Sequence, residues 1–334
     1  MAARRRTTVT ILGDGGWGTT LAIHLYRLGH RVTWWGAFPD YLRVLDRRRE
    51  NVKFLPGISI PRGIHIVPNL FEAVGTSRIV VLAIPSQHLR SVVRRLGNAP
   101  LTDKRFVSVA KGIERKTLKR MSQVVTEELG RVSLAALSGP NIASEIAQGH
   151  PASSVVASSN PALAREIQQA FMSDRLRLYT STDVVGVELG GALKNPIAIA
   201  AGISDGLGLG TNAKAALITR GVVEMARLGV ALGARAETFW GLSGLGDLVT
   251  TCLSGRNHRL GEQVGRGRRL GAILDATPMV IEGVETSQAA VALGRRCRVE
   301  LPLIEQVHAI LFQHRAPRQA LQALMRRSGK AETV

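Results

Sequence analysis

A glycine-rich turn near the amino terminus constrains the fold more than any other feature of this sequence. Residues 13–18 read Gly-Asp-Gly-Gly-Trp-Gly; they follow an apolar run at 8–12 and precede residues 19–28, whose leucines recur at helical spacing. We therefore expect a strand, a turn and a helix in succession. Gly13 suits a tight turn, Gly15 the approach of a phosphate and Gly18 close helix–strand packing. Backbone N–H groups and the helix dipole would then hold the pyrophosphate of a dinucleotide.

Short apolar, β-branched runs alternate with helical patterns through the first half of the chain. This alternation is typical of a parallel, doubly wound sheet. The runs are residues 8–12, 31–35, 64–67, 79–84, 106–110 and 132–137, with a last strand-like segment at 176–179. From about residue 184 the pattern becomes helical. We predict an α/β chain with a Rossmann-like doubly wound parallel sheet in residues 1–182, followed by an all-helical domain in residues 183–334.

Composition supports a two-domain protein of the cytoplasm. The chain has 334 residues, which exceeds the usual size of one compact core. Its two cysteines cannot form a disulfide framework, and we find neither a signal-peptide core nor a segment expected to insert into a membrane. The net charge of +19 comes mostly from arginine, and it indicates either a solvated basic surface or a field that attracts anionic partners.

The end of the second predicted strand leaves the type of coenzyme open. An NAD-specific site usually has an acidic residue there, roughly 20 residues after the glycines, to bind the ribose hydroxyls. Here residues 34–39 contain neither an acid nor an arginine, although Arg43 and Arg47 on the next helix could reach a 2′-phosphate. We favour NADPH slightly and accept NADH.

Polar and cationic residues follow several strands at the edge where ligands of open α/β sheets bind. Lys111 follows the fifth strand and could bind an anionic substrate, or be a solvated lysine beside a turn. In the helical half, Lys194 lies among small and apolar residues, either as a functional group or as a lysine that extends to the surface. Asp247 follows a glycine-rich stretch, which either orients its carboxylate or makes it a helix cap.

Taken together, these motifs resemble one family. In chain order the matching segments are residues 13–18, 51–57, 85–86, 110–112, 138–141, 188–195, 244–247, 256–257 and 282–283. On these segments the chain resembles bacterial-type NAD(P)-dependent glycerol-3-phosphate dehydrogenase, and the match extends over most of its length.

The resemblance implies a reaction and a set of site residues. The family reversibly reduces dihydroxyacetone phosphate, a small anionic phosphate substrate, to sn-glycerol 3-phosphate, the backbone precursor of phospholipids, and usually forms homodimers. Lys194 would donate and accept the proton, with Lys111 and Asp247 also in the catalytic group. The implied substrate-binding residues are Lys111, Gly139, Asn141, Lys194, Asn195, Asp247, Gly255, Arg256 and Asn257. The implied coenzyme-binding residues are Gly13, Gly15, Gly16, Trp17, Gly18, Ala37, Lys111, Ala143, Arg256, Val280 and Glu282.

Three positions depart from the family pattern. Pro196 replaces a branched apolar residue two positions after Lys194, and a proline inside a helix predicts a kink. The usual Ser-Arg-Asn triplet begins with Gly255, so either Ser254 or Gly255 would lie at the phosphate. Ala37 stands where a polar residue often contacts the ribose.

Two other functions stay open at this point. One is a dehydrogenase for 3-hydroxyacids or sugar-acid phosphates, because related two-domain enzymes also carry a Lys-Asn pair on a helical domain. The other is a nucleotide-sensing or nucleic-acid-binding module, suggested by the charge of +19. We expect no nucleic-acid partner, because aromatic residues are not interleaved with the basic runs. We also expect no metal, because the histidines are scattered.

Overall fold

The computed structural model describes residues 6–329 and 331–332; residues 1–5, 330 and 333–334 of the two predicted domains lie outside the described residues. The chain divides into two compact units. Unit 1 comprises Met1–Ala110 and Arg120–Val184, and unit 2 comprises Lys111–Lys119 and Val185–Val334. Lys111 therefore belongs to unit 2, together with the helical part of the chain. The domain limits at 182 and 183 stay a prediction.

Unit 1 contains an eight-stranded sheet and a separate two-stranded hairpin, whose strands lie between the second and third strands of the large sheet in the sequence. The strands are β1 Thr8–Leu12, β2 Arg31–Trp35, β3 Glu50–Asn51, β4 Leu55–Ser59, β5 His65–Ile66, β6 Ile79–Leu82, β7 Arg105–Ser108, β8 Ser133–Ser138, β9 Ala152–Ala157 and β10 Leu176–Ser181. In space the large sheet runs β10-β9-β8-β7-β6-β1-β2-β5, and β3 pairs with β4.

The six strands predicted in the first half of the chain form the doubly wound order 3-2-1-4-5-6, observed as β5-β2-β1-β6-β7-β8. β1 pairs in parallel with β2 on one side and with β6 on the other, with Val9 opposite Val32 and Ile79. The carboxyl end of β1 is thus the point where the strand order reverses. The predicted Rossmann-like fold is confirmed.

Two features of the sheets differ from the expectation. β9 was not predicted, and it pairs antiparallel with β8, so the large sheet is parallel at every pair except this one. Its sequence, Ala-Ser-Ser-Val-Val-Ala, has only two β-branched apolar residues, too few to stand out as a strand. The β3–β4 hairpin was also not predicted, because β3 has two residues and β4 contains a proline and a glycine.

Helices cover both faces of the large sheet. They are α1 Gly16–Arg27, α2 Pro39–Arg48, α3 Leu70–Gly75, α4 Ser86–Arg95, α5 Met121–Leu129, α6 Ala143–Ala147 and α7 Pro161–Phe171, with a 3₁₀ turn at Leu96–Asn98. Alternate residues of β1 face opposite sides: Ile11 packs in one apolar cluster with Leu21 of α1, and Leu12 in another with Leu89 of α4. The sheet is buried on both sides, as parallel sheets are.

Unit 2 is helical, and no strand lies among its described residues. Its helices are α8 Val184–Gly206, which begins with the last residue of unit 1, α9 Gly210–Ala231, α10 Ala236–Trp240, α11 Asp247–Leu253, α12 Arg256–Gly265, α13 Leu270–Asp275, α14 Glu282–Cys297, α15 Pro302–Phe312 and α16 Pro317–Met325, with a π-helical turn at Leu242–Gly246. The prediction of an all-helical second domain is confirmed.

The central helix of unit 2 is α8, and it runs without a break through Pro196. α12 packs closely on it, because a Cβ at Gly202 would lie 2.0 Å from the carbonyl oxygen of His258. By length and composition α8 is the one helix among the described residues that could cross a membrane, but 89% of its apolar window is buried inside the structure. It has the properties of a core helix.

Candidate active site

The glycine turn of unit 1 packs tightly against the sheet at two points and is open at a third. Gly13 has a φ of +124°, and a Cβ there would lie 2.1 Å from the carbonyl oxygen of Ala83. A Cβ at Gly18 would lie 2.3 Å from the carbonyl oxygen of Gly13. At Gly15, by contrast, no atom of the described residues, apart from its immediate chain neighbours, lies within 4 Å of an added Cβ. Packing accounts for Gly13 and Gly18, whereas Gly15 leaves open space beside the turn.

The amino end of α1 fits an anionic group. Its N-cap is Gly15, which has no side chain to cap the first backbone N–H groups, and its first turn carries no acidic residue. The indole Nε1 of Trp17 is buried, and no acceptor for it lies among the described residues. Gly16 lies close to Ala143, whose carbonyl oxygen accepts a 2.9 Å hydrogen bond from Thr20. Backbone donors at a helix start suit the pyrophosphate of a dinucleotide.

The residues at the end of β2 do not include a cation that could contact a coenzyme phosphate. Ala37 is exposed and adds no polar group, and Gly36 before it is buried against the carboxylate of Asp14. On α2, Arg43 forms an exposed ion pair with Asp40. Asp14 was not singled out in the sequence, although it lies inside the glycine motif.

Gly139 and Asn141 follow β8, on the same edge of the sheet as the glycine turn. Gly139 lies against the backbone of β9, since an added Cβ would be 2.9 Å from Cα of Ser154. The Ser154 hydroxyl donates a 2.6 Å hydrogen bond to Oδ1 of Asn141. The Asn141 amide nitrogen Nδ2 is buried and has no acceptor among the described residues. Asn141 is thus oriented, with its donor unused.

In unit 2, Lys111, Lys194 and Asp247 meet in a cluster that we call the lysine–aspartate cluster. Nζ of Lys111 lies 2.7 Å from Oδ2 of Asp247, and Nζ of Lys194 lies 3.0 Å from Oδ1 of the same carboxylate. Their side chains are 17%, 7% and 3% exposed in the order Lys111, Lys194, Asp247. One carboxylate therefore holds two ammonium groups in a largely dehydrated place, which leaves the cluster one positive charge in excess.

Thr251 completes the contacts of Lys194 and was missed in the sequence. Its hydroxyl accepts from Nζ of Lys194 and donates a 2.7 Å hydrogen bond to the backbone carbonyl of Asp247. The signal was available, because Thr251 follows Asp247 by four residues and so lies on the same face of α11. An ammonium group has three N–H donors, and Asp247 and Thr251 accept two of them.

The surroundings of Lys194 alter its acidity. Burial, together with the adjacent charge of Lys111, lowers the pKa of Lys194 to about 8, although Asp247 opposes both by favouring the cation. An amine with a pKa near neutrality can both donate and accept a proton at working pH, which an ordinary lysine does poorly.

Two buried asparagines connect the cluster to α12. The amide nitrogen of Asn195 donates a 2.9 Å hydrogen bond to the backbone carbonyl of Lys111, and its oxygen accepts a 2.8 Å bond from Nδ2 of Asn257. The oxygen of Asn257 in turn accepts a 3.0 Å bond from the backbone N–H of Gly283. This chain of amides fixes four separate segments of unit 2 with respect to one another.

The remaining predicted residues of unit 2 lie around the start of α12. Gly255 is the N-cap of this helix, and Nη1 of the exposed Arg256 donates a 3.0 Å hydrogen bond to the carbonyl oxygen of Val280. Glu282 begins α14, directly before Gly283. The Ser254 hydroxyl lies 3.5 Å from the carbonyl oxygen of Thr250.

Comparison with known proteins places this site in a family. The sequence matches the N-terminal region of NAD-dependent glycerol-3-phosphate dehydrogenase over residues 8–164 and its C-terminal region over residues 183–322. The chain belongs to the glycerol-3-phosphate dehydrogenase family. Its members reduce dihydroxyacetone phosphate to glycerol 3-phosphate with NADH or NADPH, so the expected oxidoreductase and the expected nicotinamide coenzyme, NAD or NADP, are confirmed.

Curated relatives and solved structures agree with the family assignment. The chain is 46% identical to glycerol-3-phosphate dehydrogenase [NAD(P)+] 2 of Salinibacter ruber, covering 98% of this chain and 96% of the relative. It is 46% identical to glycerol-3-phosphate dehydrogenase [NAD(P)+] of Chlorobium phaeobacteroides, covering 97% and 99%. The crystal structure of glycerol-3-phosphate dehydrogenase from Coxiella burnetii is similar with a TM-score of 0.93 at 37% identity, covering 96% of this chain and 99% of that one.

Proposed function

We propose that this glycerol-3-phosphate dehydrogenase family member reduces dihydroxyacetone phosphate at the lysine–aspartate cluster of unit 2. The observation that carries the proposal is the shared carboxylate of Asp247, which holds two buried ammonium groups 2.7 Å and 3.0 Å away. A ketone accepts negative charge on its oxygen as it is reduced, and an excess of buried positive charge stabilises that oxygen.

Lys194 is the proposed proton donor for the substrate oxygen. Asp247 and Thr251 occupy two of its three N–H bonds and orient the third, so the ammonium group has one donor left for a ligand. A bound nicotinamide coenzyme supplies the hydride in this reaction. Because the pKa of Lys194 is about 8, the same amine can accept the proton back in the oxidation. Lys111 and Asp247 set its charge and its position.

Arg256, Asn257 and the backbone at Gly255 are the proposed site for the substrate phosphate. A guanidinium group keeps its charge at any working pH and offers paired N–H donors that match phosphate oxygens. Among the described residues, the Arg256 side chain donates one hydrogen bond, to the carbonyl oxygen of Val280, which leaves further donors on its guanidinium group. Asn195 is proposed to contact substrate together with Asn257, and in unit 1 the free Nδ2 of Asn141, beside Gly139, supports a substrate role for these two residues.

The glycine turn of unit 1 is the proposed site for the coenzyme pyrophosphate. The open space at Gly15, the uncapped start of α1 and the unused donor of Trp17 support this assignment for Gly13, Gly15, Gly16, Trp17 and Gly18. The further coenzyme contacts that we propose from the resemblance are Ala37 and Ala143 in unit 1 and Lys111, Arg256, Val280 and Glu282 in unit 2.

The organisation of the protein follows from these roles. We propose a coenzyme-binding domain in residues 1–182 and a domain for substrate and catalysis in residues 183–334, in a cytoplasmic homodimer that has no nucleic-acid partner. Cys252 is buried and Cys297 is half-buried, and neither forms a disulfide, which supports a reducing compartment. Among the described residues no three acidic, histidine or cysteine side chains are arranged to hold a metal ion.

A substrate comparison tests the proposed activity. Purified protein is assayed spectrophotometrically with dihydroxyacetone phosphate, with unphosphorylated dihydroxyacetone, and with 3-hydroxyacids and their keto forms, each with NADH and NADPH. We expect turnover with dihydroxyacetone phosphate and a kcat/KM lower by a factor of about 100 or more without the phosphate. Equal or faster turnover of a 3-hydroxyacid would overturn the proposal.

A further inference from the structure

The glycine turn of unit 1 contains a carboxylate that the proposed function does not use. The side chain of Asp14 lies against Gly36, the residue that follows β2. A Cβ at position 36 would lie 2.6 Å from Oδ2 of Asp14 and 2.7 Å from its Cγ. Any side chain at position 36 would therefore displace this carboxylate, so Asp14 and Gly36 fit each other as a pair.

One oxygen of this carboxylate is buried and unused. Oδ2 of Asp14 has no hydrogen-bond donor among the described residues. Burial raises the pKa of Asp14 above its ordinary value, which a hydrogen bond from its own backbone N–H and the nearby charge of Lys53 counteract only in part. A buried acceptor without a donor costs free energy, and a ligand that brings a donor recovers it.

This oxygen lies near the end of β2, where dinucleotide-binding sites usually bind the adenosine ribose. In a doubly wound fold an acid at the carboxyl end of the second strand binds the hydroxyls of the adenosine ribose. Residues 34–39 at that place contain no acid. The carboxylate of Asp14 reaches the same place from the glycine turn, because it contacts Gly36.

We propose that Asp14 is the coenzyme-selecting residue of this chain: its carboxylate accepts a hydrogen bond from the adenosine ribose and disfavours a 2′-phosphate, so that NADH is preferred to NADPH. A ribose hydroxyl donates the hydrogen that Oδ2 lacks, whereas a 2′-phosphate brings only negative charge. This reverses the slight preference for NADPH drawn from the empty end of β2. The inference rests on the proposed function only for the placement of the dinucleotide on unit 1.

Two cations of this region, Lys53 and Arg43, contact other groups. Nζ of Lys53 lies 5.0 Å from the centre of the Phe54 ring and 5.7 Å from that of Tyr41. Arg43 is paired with Asp40 at the surface. Arg47 on α2 is exposed, so its charge is screened by solvent and offsets the repulsion between Asp14 and a 2′-phosphate only weakly.

Calorimetric binding of two coenzyme fragments tests the proposal without the chemical step. ADP-ribose and 2′-phospho-ADP-ribose are titrated into wild-type protein, Asp14→Ala, Gly36→Ala and the control Asp174→Asn, which removes an exposed acid of unit 1 just before β10, and thermal unfolding of each variant is recorded. We expect wild type and Asp174→Asn to bind ADP-ribose at least about tenfold more tightly than its 2′-phosphorylated form. Asp14→Ala and Gly36→Ala should reduce that ratio to about threefold or less, since the first removes the carboxylate and the second displaces it.

The outcomes separate this inference from the proposed function. A wild-type ratio near one, a preference for the 2′-phosphorylated fragment, or an unchanged ratio in folded Asp14→Ala would overturn the role of Asp14 while leaving dinucleotide binding intact. Failure of both fragments to bind wild-type protein would overturn the coenzyme role of unit 1 and with it this inference.

Discussion

The glycine turn of unit 1 and the lysine–aspartate cluster of unit 2 are built in opposite ways. The turn works through the absence of side chains: Gly13 and Gly18 let backbone pack on backbone, and Gly15 leaves space. The cluster works through long charged side chains that are almost wholly buried and share one carboxylate. In the first region backbone dipoles provide the charge, and in the second ionised groups do.

The difference matters for how each region responds to mutation. In the glycine turn, a side chain added at the packed positions Gly13 or Gly18 would clash with backbone atoms. A methyl group added at Gly15 would affect only ligand binding. A buried charge cluster is sensitive to the removal of atoms, because each group that remains loses its counter-charge in a medium of low polarity.

Replacement of Lys194 should have the largest effect. In Lys194→Met the proton donor and one of the two cations near the substrate oxygen are lost, so we expect kcat to fall by a factor of about 1000 or more. Coenzyme binding, measured by the fluorescence of NADH, should change little. The control is Lys116→Met, an exposed lysine of the same unit. A Lys194 variant that keeps more than about a tenth of the wild-type rate would exclude Lys194 as the proton donor.

Arg256→Ala should have the next largest effect, and it should act on binding. We expect the KM for dihydroxyacetone phosphate to rise by a factor of about 100 with a smaller change in kcat, because a charge-assisted contact to phosphate is lost. Arg256→Lys should recover only part of the affinity, since an ammonium group lacks the paired donors. As a control, Arg259→Ala removes an exposed arginine one turn later on α12. An unchanged KM in Arg256→Ala would count against the phosphate role.

The glycine turn can be tested by two substitutions that the structure separates. Gly15→Ala adds a methyl group into open space, so we expect normal thermal stability and a dissociation constant for NADH raised about tenfold or more. Gly18→Ala forces a Cβ to within 2.3 Å of a backbone oxygen, so it should lower stability by about 2 kcal/mol or more. If Gly15→Ala binds NADH as tightly as wild type, the open space at Gly15 does not hold the pyrophosphate.

The two regions also differ in how much of them could be predicted from the sequence. The turn is formed by six residues that are adjacent in the sequence, so its glycine spacing is visible there. The flanking strand and helix are apparent from their apolar periodicity. The six strands of the doubly wound order were found for the same reason. β9 was not, because its small polar residues pack as a strand only through pairing with β8 and β10.

The lysine–aspartate cluster depends on tertiary packing, so its residues could be predicted from the sequence but their contacts could not. Lys111, Lys194 and Asp247 lie on three distant segments, and their shared contacts depend on how α8 and α11 pack in unit 2. Burial and Lys111 lower the pKa of Lys194 and Asp247 raises it, and these effects too follow from the packing rather than from the local sequence. Asp14 was not predicted as a site residue, because its proposed role depends on its contact with Gly36, which the spacing of the motif does not reveal.

The pH dependence of Asp247→Asn gives the smallest effect and the most direct measure of the cluster. Oxidation of glycerol 3-phosphate requires Lys194 to be neutral before it accepts a proton, so the wild-type kcat/KM should rise with pH to an inflection near 8 and then level off. The Asp247 carboxylate favours the ammonium form, while burial and Lys111 favour the neutral amine. Its replacement by a neutral amide therefore removes the main influence that raises the pKa of Lys194, and the inflection should move to lower pH.

Asp205→Asn is the matched control for this shift. Asp205 also accepts from a lysine of unit 2, Nζ of Lys214 at 2.7 Å, and from His258, but it does not contact Lys194. Its replacement should leave the inflection where it is in wild type. An Asp247→Asn inflection at the wild-type pH or above it would mean that the titrating group is not Lys194, because the loss of a neighbouring negative charge cannot raise the pKa of an amine. The sign of this shift thus identifies the proton donor independently of the size of any rate loss.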